Sequence, residues 1–179
     1  MVKIIFESHG TTFDNEKGIS TGQADSKLSP LGIKQSKELG ERYKDNLPDI
    51  VFCSDLSRSV GTGKIAFGNT GVPILTDPRL RECDYGDYTQ HPSEEVSSLK
   101  DSCIDIPFPN GESYKQIAER MKDFLKDLLQ NYNGKTVMMI GHRATQYGLE
   151  HLINKISLEQ VINAPWKWQP GRTYQLEEI

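Results

Sequence analysis

Apolar residues in this chain fall into short runs separated by stretches of helical spacing. Val2 to Phe6 form the first run and Ile50-Val51-Phe52-Cys53 the second. Val137-Met138-Met139-Ile140 is the third and most hydrophobic. Runs of this length without polar alternation fit strands covered on both faces, and the third is expected at the centre of the sheet. Pro73-Ile74-Leu75-Thr76 reads as an edge strand because its proline lacks a ladder donor. Thr173 to Leu176 reads as a last strand.

Between the runs the period changes. Ser29-Pro30 opens a helix that runs to about Asn46-Leu47-Pro48. Serine accepts from an unpaired backbone N–H there, and proline suits the first helical position. Asp55 reads as the cap of a helix from Leu56 to about Phe67. Ile117, Met121, Phe124, Leu125, Leu128 and Leu129 recur at helical spacing, and Asn133-Gly134 ends that helix. A further helix follows Gly141-His142 through Ile153.

Alternating strands and helices predict an α/β fold: one domain over residues 1–179, a three-layer α/β/α sandwich with a mostly parallel central sheet. Asp77 to Asn110 breaks the pattern. It holds Pro78, Pro92, Pro107 and Pro109, with room for one short helix between Ser93 and Asp101. An irregular insertion of this length is usually functional, and it reads as a lid-like segment at about 77–110.

Composition narrows the function classes. The formal charge is −4, with no basic run longer than two residues, so nucleic acid is not an expected partner. The longest apolar run is strand-sized, so no membrane span is expected, and no signal-type segment opens the chain. Cys53, Cys83 and Cys103 are odd in number and lack metal-ligand spacing. They read as free thiols of a cytoplasmic protein that needs no metal or other cofactor.

Candidate chemistry gathers at strand ends. The first strand runs into Ser8-His9-Gly10, and the strand at 137–140 into Gly141-His142-Arg143. Ligands in open α/β sheets bind outside the carboxyl ends of the strands. Ser54-Asp55-Leu56-Ser57-Arg58 arrives at the same edge. His91 and His151 gain nothing from their contexts and read as structural. Trp166 and Trp168 either line the mouth of the site or cap the core, and their large apolar area favours the core. Arg79, Arg81, Tyr85 and Tyr88 are possible contacts to a ligand from the irregular segment.

These residues, in this order, resemble the histidine phosphatase superfamily, also called phosphoglycerate-mutase-like. Ser8-His9-Gly10-Thr11-Thr12 with Asn15 is similar to its opening Arg-His-Gly motif and the asparagine that follows. Leu28-Ser29-Pro30-Leu31-Gly32 with Gln35 resembles the segment before its first helix. Ser54 to Arg58 resembles its second arginine motif, and Leu80-Arg81-Glu82 with Gly86 its acid-bearing loop. Asn110-Gly111-Glu112-Ser113 resembles the entry to its long helix, and Gly141-His142 its second histidine.

The resemblance implies a phosphatase that forms phosphohistidine on His9. Arg58 would clamp phosphoryl oxygens and His142 would stabilise their charge. Glu82 would protonate the leaving oxygen and then activate water. Gly10 would admit a close backbone approach, and Asn15 would donate to phosphate. The partner implied is a small phosphorylated substrate or inorganic phosphate. A mutase of the same chemistry is a second expectation, though the family's sugar-acid mutases carry longer insertions.

Two departures matter. The family has arginine before the nucleophilic histidine, and here Ser8 offers one hydroxyl in place of a guanidinium fork. The family usually has a small residue after the second histidine, and here it is Arg143. Either Arg143 restores the missing charge from the neighbouring strand end, or it faces solvent and the chain is a phosphate-binding relative that has lost activity. Thr89-Gln90 also departs from the acidic-glycine pair often found after the acid loop.

Overall fold

The structure, a computed structural model, describes residues 1–165 and 169–179. The expected core positions of Trp166 and Trp168 lie outside the described residues. In chain order the elements are β1 (Val2–Ser8), α1 (Phe13–Glu16), β2 (Ile19–Ser20), α2 (Pro30–Tyr43), β3 (Ile50–Cys53), α3 (Ser57–Phe67), β4 (Ile74–Thr76), β5 (His91–Pro92), α4 (Ser93–Ser98), α5 (Tyr114–Asn131), β6 (Thr136–Gly141), α6 (Arg143–Leu152), α7 (Leu158–Asn163) and β7 (Arg172–Leu176). Short 3₁₀ turns at Pro78–Leu80 and Gly86–Tyr88 lie between β4 and β5.

The main sheet has five strands in the order β4-β3-β6-β1-β7. β6 is central, β4 lies at an edge, and β1, β3, β4 and β6 run parallel. β7 closes the other edge antiparallel to β1. The strands show period-2 burial on both faces. Val2, Ile4, Phe6, Ile50, Phe52, Val137 and Met139 enter one core with α5, α6 and α7. Ile5, Val51, Cys53, Met138 and Ile140 enter the other with Leu39 of α2 and Ala66 and Phe67 of α3. A strand whose every side chain meets apolar neighbours needs no polar face, which is why these runs are continuously hydrophobic.

Local signals set most boundaries. Ser29 caps α2 by accepting from the Gly32 N–H, with Pro30 at the first helical position. Ser113 and Gln116 form a reciprocal capping box at the start of α5. Asp55, expected to cap α3, does not: Leu56 holds the cap position without a side-chain bond. The Asp55 carboxylate instead takes both Nε and an Nη of Arg81, at 2.7 and 2.5 Å. A guanidinium fork outcompetes a cap because it offers two charge-assisted bonds.

The irregular segment is tied to the body. Leu80, Cys83, Tyr85, Val96, Cys103 and Phe108 are buried in the α5-side core. β5 pairs with β2 to make a second, two-stranded ladder. The predicted short helix is α4. Glu7 is a buried carboxylate on the α2 side of β1, where Arg42 and the Tyr43 hydroxyl both donate to it.

Candidate active site

β1, β3 and β6 end side by side, so their last residues deliver Ser8-His9, Ser54 and His142 to one edge. A cavity of 420 Å³ opens there. Ser8, His9, Asn15, Arg58, Glu82, His142 and Arg143 all line it, so seven of the eight residues expected from sequence share one cavity. The eighth, Gly10, acts through its backbone.

His9 is held by its own turn. Its Nδ1 lies 2.7 Å from the Gly10 carbonyl oxygen. A carbonyl only accepts, so Nδ1 carries the proton and Nε2 keeps its lone pair. The Gly10 N–H donates to Thr62 Oγ1 at 2.9 Å, which fixes the turn from the α3 side. A Cβ at Gly10 would stand 2.5 Å from the Gly32 carbonyl oxygen, so only glycine lets this turn pack on α2. Burial, reinforced by the positive charge of Arg58, pulls the His9 pKa down to about 4, against the Gly10 bond that raises it. The imidazole is therefore neutral at neutral pH.

His142 is buried at the N-terminus of α6, with its ring centroid 5.0 Å from that of His9. Its Nε2 lies 2.6 Å from Ser54 Oγ. Its Nδ1 is buried and has no partner among the described residues. An orphaned buried ring nitrogen is an expense the fold ordinarily avoids, and it marks a place for a ligand atom. Burial and the facing His9 and Arg58 charges hold the His142 pKa well below the usual histidine range.

Arg58, on the first turn of α3, is buried. It donates to the Ala24 and Gly22 carbonyls at 3.0 and 2.6 Å, which aims the guanidinium while leaving further N–H donors for an anion. Glu82 accepts from the Cys83 N–H at 2.7 Å and the Ala144 N–H at 3.3 Å through one carboxylate oxygen. Its loop is braced by Arg120, which donates to the Arg81 and Glu82 carbonyls and to Glu112. Asn15 uses Oδ1 to accept from the Thr12 N–H at 3.0 Å, so its amide NH₂ is what remains for a ligand.

Several contributors escaped sequence reasoning. Ser54 was only a motif letter, and it proves to be the partner of His142. Gln35 lines the cavity and accepts from the Thr11 N–H at 2.8 Å. Lys100 lines it from the residue pair beyond α4, and nothing in the local pattern pointed to it. Of the four ligand contacts proposed in the irregular segment, only Tyr85 lines the cavity. Arg79 is taken by Asp77 and Asp127, and Arg81 by Asp55. Tyr88 packs edge-on against His91. His91 meets Glu95, and His151 meets the Ile156 carbonyl.

The profile of the histidine phosphatase superfamily, branch 1, matches residues 4–176. The chain belongs to this superfamily. Among its relatives is a 2,3-bisphosphoglycerate-dependent phosphoglycerate mutase of Chelativorans sp., 32% identical over 89% of this chain and 84% of that protein. Among solved structures, phosphoserine phosphatase of Entamoeba histolytica in complex with phosphoserine superposes with a TM-score of 0.80 at 25% identity, covering 93% of this chain and 87% of that one. YhfR of Bacillus stearothermophilus reaches a TM-score of 0.83 at 22% identity, covering 94% and 87%. The superfamily thus includes phosphatases and phosphoglycerate mutases on one mixed α/β fold with a mostly parallel sheet. Among the described residues, no helix is long and apolar enough to cross a membrane.

Proposed function

We propose that this member of the superfamily is a phosphatase that hydrolyses a small phosphomonoester through a phosphohistidine on His9. The observation that carries the reading is the His9 Nδ1–H bond to the Gly10 carbonyl, which leaves Nε2 unprotonated beside Arg58 and His142. Nε2 attacks phosphorus and the bond from phosphorus to the leaving oxygen breaks. Glu82 gives that oxygen its proton. Water then attacks phosphorus, Glu82 takes back a proton, the N–P bond breaks, and phosphate leaves.

Charge on the transferred group meets fixed donors. Arg58 supplies a guanidinium held by two carbonyls. In this reading Ser54 Oγ is the donor of its 2.6 Å bond to His142 Nε2, Nδ1 carries the ring proton, and Nδ1–H meets a phosphoryl oxygen, which gives the orphaned nitrogen its partner. Ser8 and the Asn15 amide add neutral donors. The charge that an arginine at position 8 would bring comes, in this reading, from Arg143 at the start of α6. Three buried free thiols fit a reducing compartment, and we place the protein in the cytoplasm.

A phosphotransferase reading is favoured by the mutase relative at 32% identity. It requires an acceptor other than water, and dependence of turnover on added acceptor separates it from hydrolysis. The direct test is 4-nitrophenyl phosphate turnover from pH 4 to 8 by the natural protein, His9→Ala, Arg143→Ala and Ser8→Arg. The reading expects turnover by the natural protein and loss of it in both alanine variants. Activity confined to Ser8→Arg would make the natural chain a phosphate binder that has lost catalysis.

A further inference from the structure

Arg58 and Glu82 reach the cavity from different segments, and one side chain joins those segments behind it. Arg58 is held by the Gly22 and Ala24 carbonyls. The residue between those two carbonyls is Gln23, half-buried in the strip that follows β2. Its Nε2 donates to the Glu82 carbonyl at 3.1 Å and to Glu112 Oε2 at 3.3 Å. Its Oε1 accepts from Arg81 Nη1 at 3.4 Å. A carbonyl and a carboxylate accept and a guanidinium only donates, so one orientation of the amide serves all three neighbours.

These bonds close a ring. The chain runs from Asp55 to Arg58, Arg58 bonds the carbonyls on either side of Gln23, and the Gln23 amide bonds the Glu82 carbonyl. Arg81, the residue before Glu82, returns to Asp55 through two bonds at 2.7 and 2.5 Å. The strip also packs directly on the acid loop: a Cβ at Gly22 would stand 3.1 Å from the Tyr85 ring and 3.4 Å from the Cys83 carbonyl oxygen. Arg120 donates to the Glu82 carbonyl as well, at 3.2 Å, but it comes from α5 and ties the loop to the body of the domain. Gln23 ties it to the strip that holds Arg58.

Proton transfer needs the Glu82 carboxylate about 3 Å from the leaving oxygen, and the place of that oxygen is set by where Arg58 seats the phosphoryl group. A misplacement of about 1 Å costs about a hundredfold in rate. We propose that Gln23 is a positioning residue that fixes the reach of Glu82 from the Arg58 clamp, so that the acid meets the leaving oxygen of a seated phosphate. This rests on the phosphatase reading and on the acid role it gives Glu82.

The test compares kcat/KM for glycerol 3-phosphate, whose leaving oxygen needs a proton, with 4-nitrophenyl phosphate, whose leaving oxygen does not. Gln23→Met keeps the shape of the side chain and removes its bonds. Gln23→Glu keeps the shape and replaces the donor with an acceptor. Both are expected to lose about tenfold or more on glycerol 3-phosphate and about threefold or less on 4-nitrophenyl phosphate. In a Glu82→Gln background, Gln23→Met is expected to add about twofold or less on glycerol 3-phosphate, because the acid it places is gone. Equal losses on the two substrates overturn the proposal, since a weakened fold or a disturbed Arg58 lowers both. Native kcat/KM in Gln23→Met, or a fully additive loss beside Glu82→Gln, overturns it as well. A second readout needs no turnover. Glu82 Oε1 accepts from the Ala144 N–H at 3.3 Å, so the Ala144 amide resonance reports where the carboxylate stands. Gln23→Met is expected to shift it in the same direction as Glu82→Ala does, with the Gly10 amide unmoved; an unmoved Ala144 resonance overturns the proposal. If the natural protein turns over neither compound, the phosphatase reading fails by itself, and the Ala144 resonance decides whether Gln23 places Glu82.

Discussion

Ser54→Ala probes the account where it is most exposed, because Ser54 touches no substrate in it. Ser54 and His142 are both buried, and their 2.6 Å contact is the bond that places the ring. Removing the hydroxyl leaves Nε2 without a partner next to an Nδ1 that already lacks one. A buried polar group stripped of its bond costs about 1–3 kcal/mol. In a domain of this size that lowers Tm by about 2 to 10 °C. The catalytic effect has a separate origin. Without a donor on Nε2, the ring proton moves there, and Nδ1 faces the phosphoryl oxygens with a lone pair. Loss of one preorganised donor to a developing oxyanion costs about a hundredfold in kcat or more. Calorimetric melting and steady-state 4-nitrophenyl phosphate kinetics read the two effects independently. A melting temperature lowered as expected, with kcat within about twofold of the natural protein, would refute the donor role given to His142.

Three further outcomes follow from the geometry. The His9 imidazole titrates near pH 4 by NMR, against about 6.5 in the unfolded chain. The folded pKa is the lower one, so the unfolded chain binds more protons between those values and stability falls as pH drops from about 6.5 to about 4. The loss is at most about 3 kcal/mol from His9, less where cavity water screens it, and urea melts across that window measure it. Glu82→Gln loses about a hundredfold in kcat/KM on an alkyl phosphate but about tenfold or less on 4-nitrophenyl phosphate, whose leaving group needs no proton; equal losses would contradict the acid role. Arg58→Lys lowers kcat/KM by about a hundredfold or more, because an ammonium cannot hold the Gly22 and Ala24 carbonyls and also present a fork to phosphate; near-native kinetics would remove Arg58 from the site.

What the sequence made legible follows the strength of local physics. Val137 to Ile140 is buried on both faces, and its continuous hydrophobicity announced a central strand. The α5 stripe announced itself because one face meets the core for four turns and more. Histidines at the ends of two parallel strands had to share an edge, and they do. Elements too short to carry a period were invisible: β2 and β5 have two residues each and exist because they pair with each other. Asp55 misled because its partner, Arg81, is distant in sequence and offers more than a cap. Lys100 was hidden for a similar reason. It reaches the cavity along an irregular path fixed by Val96 and Cys103 anchoring in the core, and no repeat in the chain encodes that path. Ser54 was quoted as part of a motif, yet its role is set by a histidine 88 positions away in sequence.

The central claim is a covalent phosphoryl group on His9, and it has a direct measurement. The natural protein is mixed with 4-nitrophenyl phosphate, quenched in alkali during steady turnover, and analysed by intact mass and peptide mapping. The account predicts protein heavier by one phosphoryl group, with the label on the peptide that carries His9 and none in His9→Ala. Turnover with no adduct on that peptide, or with a label on another residue, would contradict it.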